Sequence, residues 1–185
     1  FQVTDINKFK LEDTITLIVL NGNYSQELSD KVILNGLHIS KFSDLDDTHV
    51  VSSIADVNED AFIALNTAFC SNGFYLNVSK GVSIPMPIHV LYISSCDTES
   101  FVNSRNLITI ETGAELTLIE EHVVIGKGKM FTNFLSEKIV EANAKLSTVV
   151  FQNEGEKSFS VNTNSVNIER DANYECTTIT LSGQL

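Results

Sequence analysis

The stretch "ITIETGAELTLIEEHV", residues 108–123, carries the pattern that decides the fold of this chain. An apolar run leads to Glu111, a short turn-forming pair follows, and Ala114 opens a second run in which apolar and polar residues alternate. Alternation with a period of two is typical of a β-strand that buries one face. The stretch therefore predicts two strands joined by a tight turn.

The same pattern returns at residues 138–153, "KIVEANAKLSTVVFQN", and at residues 166–181, "VNIERDANYECTTITL". A looser copy, "NVSKGVSIPMPIHVLY", occupies residues 77–92. The positions that correspond among the copies are the glutamates Glu111, Glu141 and Glu169 and the small residues Val82, Ala114, Ala144 and Ala172.

These small residues are spaced by 32, 30 and 28 residues along the chain. A repeat of this length, built of strands and turns without a helix, favours a β-solenoid in which each coil buries its apolar row against its neighbours. A sandwich with long hairpins is the alternative, but tight Asn-Gly or Asp-Gly turns are scarce after residue 73. The predicted fold class is mainly β, a parallel β-helix.

Residues 1–55 are predicted as a strand-and-turn part that leads into a β-helix core at 56–185, in one domain overall. Asn21-Gly22 and Asn35-Gly36 are strong turn signals in this first part. The apolar strand "DTITLIVLNG" is not followed by a phosphate-binding glycine motif, so nucleotide binding has no support there.

One short helix is predicted near residues 58–72. Asn58 is the expected N-cap, with Glu59 and Asp60 in the first turn and Gly73 ending the helix. The residues expected to form its apolar face are Ala61, Phe62, Leu65, Ala68 and Phe69.

Composition excludes several classes of partner. The 185 residues contain 43% hydrophobic residues and carry a formal charge of −12, so nucleic acid and anionic membranes are poor partners. The longest apolar run, "ITLIVL", is far shorter than the roughly 18 residues that a membrane helix needs. No signal-peptide pattern follows Phe1, and the missing initial methionine is expected of a processed or excised chain.

Three cysteines are scattered without a C-x-x-C pair, which argues against a disulfide framework or a zinc ribbon and fits a reducing cytoplasm. We expect Cys70 and Cys176 to be packing residues and Cys96, within the polar "SSCDTES", to be exposed. No histidine or lysine follows closely enough in sequence to predict a reactive thiol.

Glu120, Glu121 and His122 place two carboxylates beside an imidazole, a combination that a metal site or a general acid–base pair can use. Adjacent strand residues point to opposite faces, so Glu120 and His122 share a face and Glu121 does not. Two ligands do not complete a metal site, and we predict a structural role for this group.

The repeated glutamates are predicted to be solvated turn residues, because a row of like charges is unfavourable unless it is solvated, paired or metal-bound. His38, His49 and His89 are isolated in sequence, and His89 is expected to be a satisfied or exposed strand residue. No catalytic, cofactor-binding or metal-ligating residue is therefore assigned.

Three blocks together resemble the SufB/SufD family of iron–sulfur cluster assembly proteins. They are "AFIALNTAFCSNGFYLNVSKGVSIPMPIHVLYIS", "SRNLITIETGAELTLIEEHV" and "FTNFLSEKIVEANAKLSTVVFQNE". The preceding "LIVLNGNYSQELS" is more similar to SufD than to SufB members. The resemblance covers nearly the whole chain.

The resemblance implies a right-handed parallel β-helix and a cytoplasmic, non-catalytic scaffold subunit that pairs with SufB and binds the ATPase SufC. It implies no cofactor within this chain and an iron–sulfur cluster only in the full complex. A homodimer is also compatible. The family's late cysteine and histidine positions and its N-terminal helical segment have no counterpart here. The alternative class is a carbohydrate-active β-helix enzyme, a polysaccharide lyase or hydrolase, which would need a groove with clustered carboxylates.

Overall fold

A computed structural model describes residues 6–45, 54–70 and 72–183, most of which lie in β-strands. The strands are β1 Ile15–Leu20, β2 Asn23–Ser25, β3 Leu37–Lys41, β4 Phe74–Val78, β5 Ile88–Cys96, β6 Ser100–Ile110, β7 Glu115–Gly126, β8 Met130–Val140, β9 Lys145–Asn153, β10 Ser158–Ile168 and β11 Asn173–Ser182. Within the described ranges there is one α-helix, α1, which spans Ala61–Phe69.

The strands form two sheets between which the chain alternates. One sheet has the order β11-β9-β7-β5-β1-β2 and the other the order β10-β8-β6-β4-β3. From β4 to β11, each coil contributes one strand to each sheet, and equivalent strands of successive coils pair in parallel. The predicted parallel β-helix is confirmed, and a sandwich of hairpin-linked strands is wrong for this region.

The turn that the repeat predicted is present in all four copies. Its third residue has a left-handed backbone, at Gly81, Gly113, Asn143 and Asp171. Its fourth residue donates an amide hydrogen bond to the carbonyl of the first, in the pairs Val82–Ser79, Ala114–Glu111, Ala144–Glu141 and Ala172–Glu169. Glycine and asparagine tolerate this conformation best. Each corner of the solenoid therefore depends on the residue at the third position of its turn.

Inward-facing aliphatic and aromatic residues of both sheets form the main core, and the corner residues Ala114 and Ala144 are fully buried within it. The N-terminal strands belong to the same two sheets, because β1 pairs in parallel with β5 and β3 pairs antiparallel with β4. The Asn21-Gly22 hairpin joins β1 to β2 as predicted. The boundary at residue 55 stays a prediction.

The helix starts two residues later than its predicted cap implied. Asp60, not Asn58, is the N-cap, and its carboxylate accepts hydrogen bonds from the amides of Phe62 at 2.7 Å and Ile63 at 3.2 Å. Asn58 instead lies in the preceding turn, where it donates to the Asp56 carboxylate. Asn58 and Asp60 are both residue types that cap helices, and the prediction of Asn58 as the N-cap was wrong.

Gly73 does not cap the helix, which ends at Phe69 with Cys70 as its C-cap. Its role is close packing: a Cβ at Gly73 would lie 1.8 Å from the carbonyl oxygen of Arg105, and its φ is +132°. Only glycine therefore fits where the chain enters β4.

The helix also presents the opposite face from the one predicted. Phe62 and Phe69, assigned to a buried face, are 41% and 67% exposed. Asn66 is fully buried and donates to the carbonyl oxygens of Ser104 at 2.9 Å and Asn133 at 3.1 Å. Ile63 is also buried, in an apolar cluster with Ala55 and Leu135, so hydrogen bonding of Asn66 and apolar burial of Ile63 together decide the orientation of the helix.

Candidate functional site

A polar cluster interrupts the apolar interior between the two sheets. The Glu120 carboxylate accepts a hydrogen bond from the Lys138 ammonium at 2.7 Å and another from the Tyr92 hydroxyl at 3.2 Å. The Asn106 amide donates to the Tyr92 hydroxyl at 3.0 Å and to the Ser136 hydroxyl at 3.3 Å. All five side chains are buried, so this is a continuous hydrogen-bonded network closed off from solvent.

The solenoid brings these residues together from different coils and both sheets. Tyr92 on β5 pairs in register with His122 on β7, and Lys138 reaches Glu120 from β8 in the opposite sheet. Lys138 pairs in register with Ile108 of the preceding coil. A lysine at an inward, aliphatic position of the repeat is the sequence signal that could have found this cluster, and sequence reasoning missed it.

Burial and the ion pair set the charge state of the cluster. Burial opposes ionisation of Glu120, but the charge and hydrogen bond of Lys138 outweigh it, so the pKa of Glu120 lies below its ordinary value. Burial lowers the pKa of His122 to about 4, which keeps the imidazole neutral at pH 7. Burial and the neighbouring Glu120 raise the pKa of Tyr92 well above its ordinary value. The cluster therefore holds one ion pair and two neutral rings.

Glu120 and His122 do share the inner face of β7, as their spacing predicted. The His122 ring stacks on Tyr92 with ring centroids 4.4 Å apart and planes 4° apart. Glu121 faces the other way and lies 3.0 Å from the Nε2 atom of His89. Across the described ranges, no three histidine, cysteine, aspartate or glutamate side chains converge as a metal site.

A second buried ion pair lies on the outer face of the sheet, beneath α1. The Arg105 guanidinium contacts the Glu137 carboxylate at 2.8 Å and donates to the Thr67 hydroxyl at 2.9 Å. Glu137 also accepts a hydrogen bond from the backbone amide of Ala55 at 3.2 Å. This pair holds the helix and the segment before it against the sheet, which is a structural role.

The repeated glutamates are turn residues with partly or fully exposed side chains, as predicted, and they also form hydrogen bonds along the solenoid that the prediction did not include. Each carboxylate accepts a hydrogen bond from the second backbone amide of the turn one coil earlier: Glu111 from Lys80 at 2.9 Å, Glu141 from Thr112 at 2.8 Å and Glu169 from Ala142 at 3.0 Å. The backbone amide donors offset the repulsion between the like-charged carboxylates. The row of glutamates therefore links successive turns by hydrogen bonds.

Two of the three cysteine predictions are wrong. Cys96 is the last residue of β5 and is buried rather than exposed. Cys176 is exposed rather than packed, because β11 pairs only with β9 within the described residues. Cys70 is partly buried and burial raises the pKa of its thiol, which agrees with a packing residue rather than a nucleophile.

The isolated histidines occupy separate places. His38 is exposed on β3, and His89 is fully buried on β5, paired with Glu121. His49 lies outside the described residues. Among the described histidines, only His122 belongs to the interior cluster.

The fold and its site define a class: a parallel β-solenoid whose coils are joined by turn-to-turn carboxylates and whose interior holds a buried polar network. Two family models match the chain. The model "SUF system FeS cluster assembly, SufBD core domain" matches residues 92–185, and "SufBD protein N-terminal region" matches residues 5–90. The chain belongs to the SufBD family, as the quoted blocks indicated.

Named relatives agree with this assignment. The chain is 30% identical over 128 residues to "Iron-sulfur cluster assembly protein SufD" of Bacillus subtilis, covering 66% of this chain and 29% of that protein. It is 29% identical over 164 residues to "Protein ABCI7, chloroplastic" of Arabidopsis thaliana, covering 82% of this chain and 34% of that protein. It is 23% identical over 185 residues to "Iron-sulfur cluster assembly SufBD family protein slr0076" of Synechocystis, covering 91% and 41%. The chain thus spans 29% to 41% of the length of these relatives.

Proposed function

We propose that this chain belongs to a non-catalytic scaffold subunit of a Suf-type iron–sulfur cluster assembly complex. The observation that carries the proposal is the match of both SufBD family models, in order, to residues 5–90 and 92–185. In this role the subunit pairs with a SufB-like subunit and works with a SufC-like ATPase. The iron–sulfur cluster is cargo of the complex rather than a resident cofactor of this chain.

The chemistry of the chain supports a scaffold rather than an enzyme. No G-x-x-x-x-G-K-[ST] motif is present in the sequence, so ATP hydrolysis is assigned to the partner. Within the interior cluster, the Glu120 carboxylate is engaged by Lys138 and Tyr92. The polar groups of this cluster thus bond to one another, and we assign none of them a catalytic, metal or cofactor role.

A cytoplasmic location is part of the proposal. Free cysteines at three positions suit a reducing compartment. None of the helices in the described part of the chain is long and apolar enough to cross a membrane. We expect neither nucleic acid nor membrane as a partner, because the chain carries a net charge of −12.

The carbohydrate-active alternative requires carboxylates that converge in an open groove. A surface groove of about 580 Å³ has Glu27 and Asp30 in its wall. Asp30 is already bound by the Lys10 ammonium at 2.8 Å and by the Thr16 amide at 2.8 Å. One free carboxylate cannot perform the two-carboxylate reaction, so we favour the assembly role.

Co-purification tests the proposal. The full-length protein, tagged and co-expressed with the SufB-like and SufC-like proteins of its own genome, is expected to recover both partners. The recovered complex is then assayed for iron and acid-labile sulfide, with and without this subunit, and for ATPase activity, which we expect only when the SufC-like protein is present. Recovery of neither partner, or ATP hydrolysis by this protein alone, would contradict the proposal.

A further inference from the structure

We propose that a single water molecule is bound inside the solenoid, where it bridges the imidazole of His122 on β7 and the side-chain amide of Asn162 on β10. The site lies between the two sheets, beside the network of Tyr92, Glu120 and Lys138. It does not depend on the proposed assembly role, because it follows from the geometry of the interior alone.

The space at this position fits one water. A cavity of about 20 Å³ lies against Tyr92, His122, Phe134 and Asn162. A buried water needs room for a water-sized sphere and at least two polar partners. The cavity offers the room for a water molecule.

Two polar atoms at this cavity have no partner in the described part of the protein. The Nδ1 atom of His122 and the Oδ1 atom of Asn162 are both buried and make no hydrogen bond to protein groups. The other end of the Asn162 amide donates to the Ser160 hydroxyl at 3.2 Å, which leaves the oxygen as the unpaired end. A buried polar atom without a partner is costly and rare, so both atoms call for a ligand.

The chemistry of the two atoms selects water. The Asn162 oxygen only accepts hydrogen bonds, so the ligand must donate one. The His122 ring nitrogen accepts or donates according to its tautomer, and water does either. A halide ion cannot donate to Asn162, and a divalent cation needs more oxygen ligands than these two residues provide. Glu120 also lines the cavity, but its two oxygens already accept hydrogen bonds from Lys138 and Tyr92, so it is satisfied without the water.

A crystal structure of the full-length protein tests the site directly. We expect one solvent peak about 3 Å from both His122 Nδ1 and Asn162 Oδ1. A dry cavity, or a peak bonded to only one of these atoms, would overturn the proposal.

A double-mutant cycle provides a second test in solution. His122→Phe keeps the ring stacked on Tyr92, and Asn162→Leu keeps the branched shape of the side chain, but each removes one partner of the water. With a bridging water, each single variant lowers the thermal midpoint, and the double variant loses less than the sum of the two because no unpaired atom remains.

Without the water, His122→Phe would only remove an unsatisfied atom and raise the midpoint, Asn162→Leu would change it by the loss of the Ser160 hydrogen bond, and the two effects would add. That outcome would refute the bridge. Asn167→Leu is the matched control, because Asn167 is an exposed residue of the same strand and does not border the cavity. The control is expected to leave the midpoint unchanged and to show no coupling to His122→Phe.

Discussion

At the residue scale, the ion pair between Lys138 and Glu120 occupies positions that are aliphatic in neighbouring coils. Lys138 stacks in register between Ile108 and Val166, and Glu120 between Val90 and Val150. A buried ion pair gains little net stability over a well-packed apolar pair, but removing one partner leaves an uncompensated charge. The stability of the interior therefore requires that Lys138 and Glu120 are both present or both replaced.

Replacing only the lysine is expected to be severe. Lys138→Met strands the Glu120 carboxylate in the core and should lower the free energy of unfolding by about 3 to 5 kcal/mol, measured by urea denaturation. The double variant K138I/E120V copies the residues of the adjacent coils and should recover most of that loss. The control is Lys145→Met at the exposed Lys145–Glu115 pair, where we expect a change of about 0 to 1 kcal/mol. Equal losses at both sites would contradict the interpretation.

His122 should make the stability of the fold depend on pH. Burial lowers the folded-state pKa of His122 to about 4 from an ordinary value of 6.5. Between these values the unfolded chain binds the additional proton, so stability falls as the pH drops from 6.5 toward 4, by about 3 kcal/mol for this group. The lowered pKa of Glu120 acts in the same direction at more acidic pH, because protonation removes its ionic bond.

Unfolding free energies measured from pH 7 to pH 4 check this expectation. His122→Gln should remove most of the slope between pH 6.5 and pH 4, whereas His38→Gln, at an exposed histidine of β3, should leave the slope as it is. A slope that persists in His122→Gln would show that another group controls acid sensitivity.

At the element scale, the repeated four-residue turn is the unit that organises the solenoid. Its third position is left-handed in every coil, at Gly81, Gly113, Asn143 and Asp171. Its first position carries a glutamate in three coils, and each carboxylate caps the turn below. The turn therefore determines both the local bend and the vertical register of one coil on the next.

The backbone requirement of this turn can be tested at Gly113, whose φ is +70° and where an added Cβ would meet no atom within 4 Å. Gly113→Ala should then cost only the left-handed strain, about 1 to 2 kcal/mol of unfolding free energy. Gly113→Asn should cost less, because asparagine tolerates this conformation and already occupies the equivalent position at Asn143. Chemical denaturation of the two variants checks the ranking, and an alanine that is tolerated better than asparagine would contradict it.

At the scale of the whole molecule, stability is distributed unevenly along the solenoid. β7 has a parallel neighbour on each side and a buried inner face, whereas β11 pairs only with β9 in the described structure and exposes most of its side chains. In a solenoid each coil is stabilised mainly by its immediate neighbours. The inner coils are therefore the most stable part.

Amide hydrogen exchange of the 185-residue chain should show this gradient. We expect the backbone amides of β7 to exchange more slowly than those of β11, because opening β7 breaks two strand interfaces and opening β11 breaks one. Mass spectrometry of peptides from the two strands gives the comparison, with the exposed turn after β9 as the fast reference. Equal protection of β7 and β11 would indicate that the solenoid unfolds as a single cooperative unit.

Much of the fold could be predicted from local sequence because the repeat is local. The positions of Ala114, Ala144 and Ala172 identified the coils, and the parallel pairing placed them in register. The candidate site was predicted only in part. Glu120 and His122 were found to share a face, but Lys138 and Tyr92 were not connected to them, because their contacts join different strands across the interior.

The sequence by itself determined the coil, its corner and the family, because turn geometry and strand alternation depend on residues a few positions apart. Only the tertiary structure decided which polar residues meet and which helix face is buried. Lys138 meets Glu120 because the two sheets face each other, and Asn66 turns inward because the sheet beneath α1 offers it backbone carbonyls. Both outcomes depend on the distance between sheets and on the polarity of a distant surface, which no local pattern encodes.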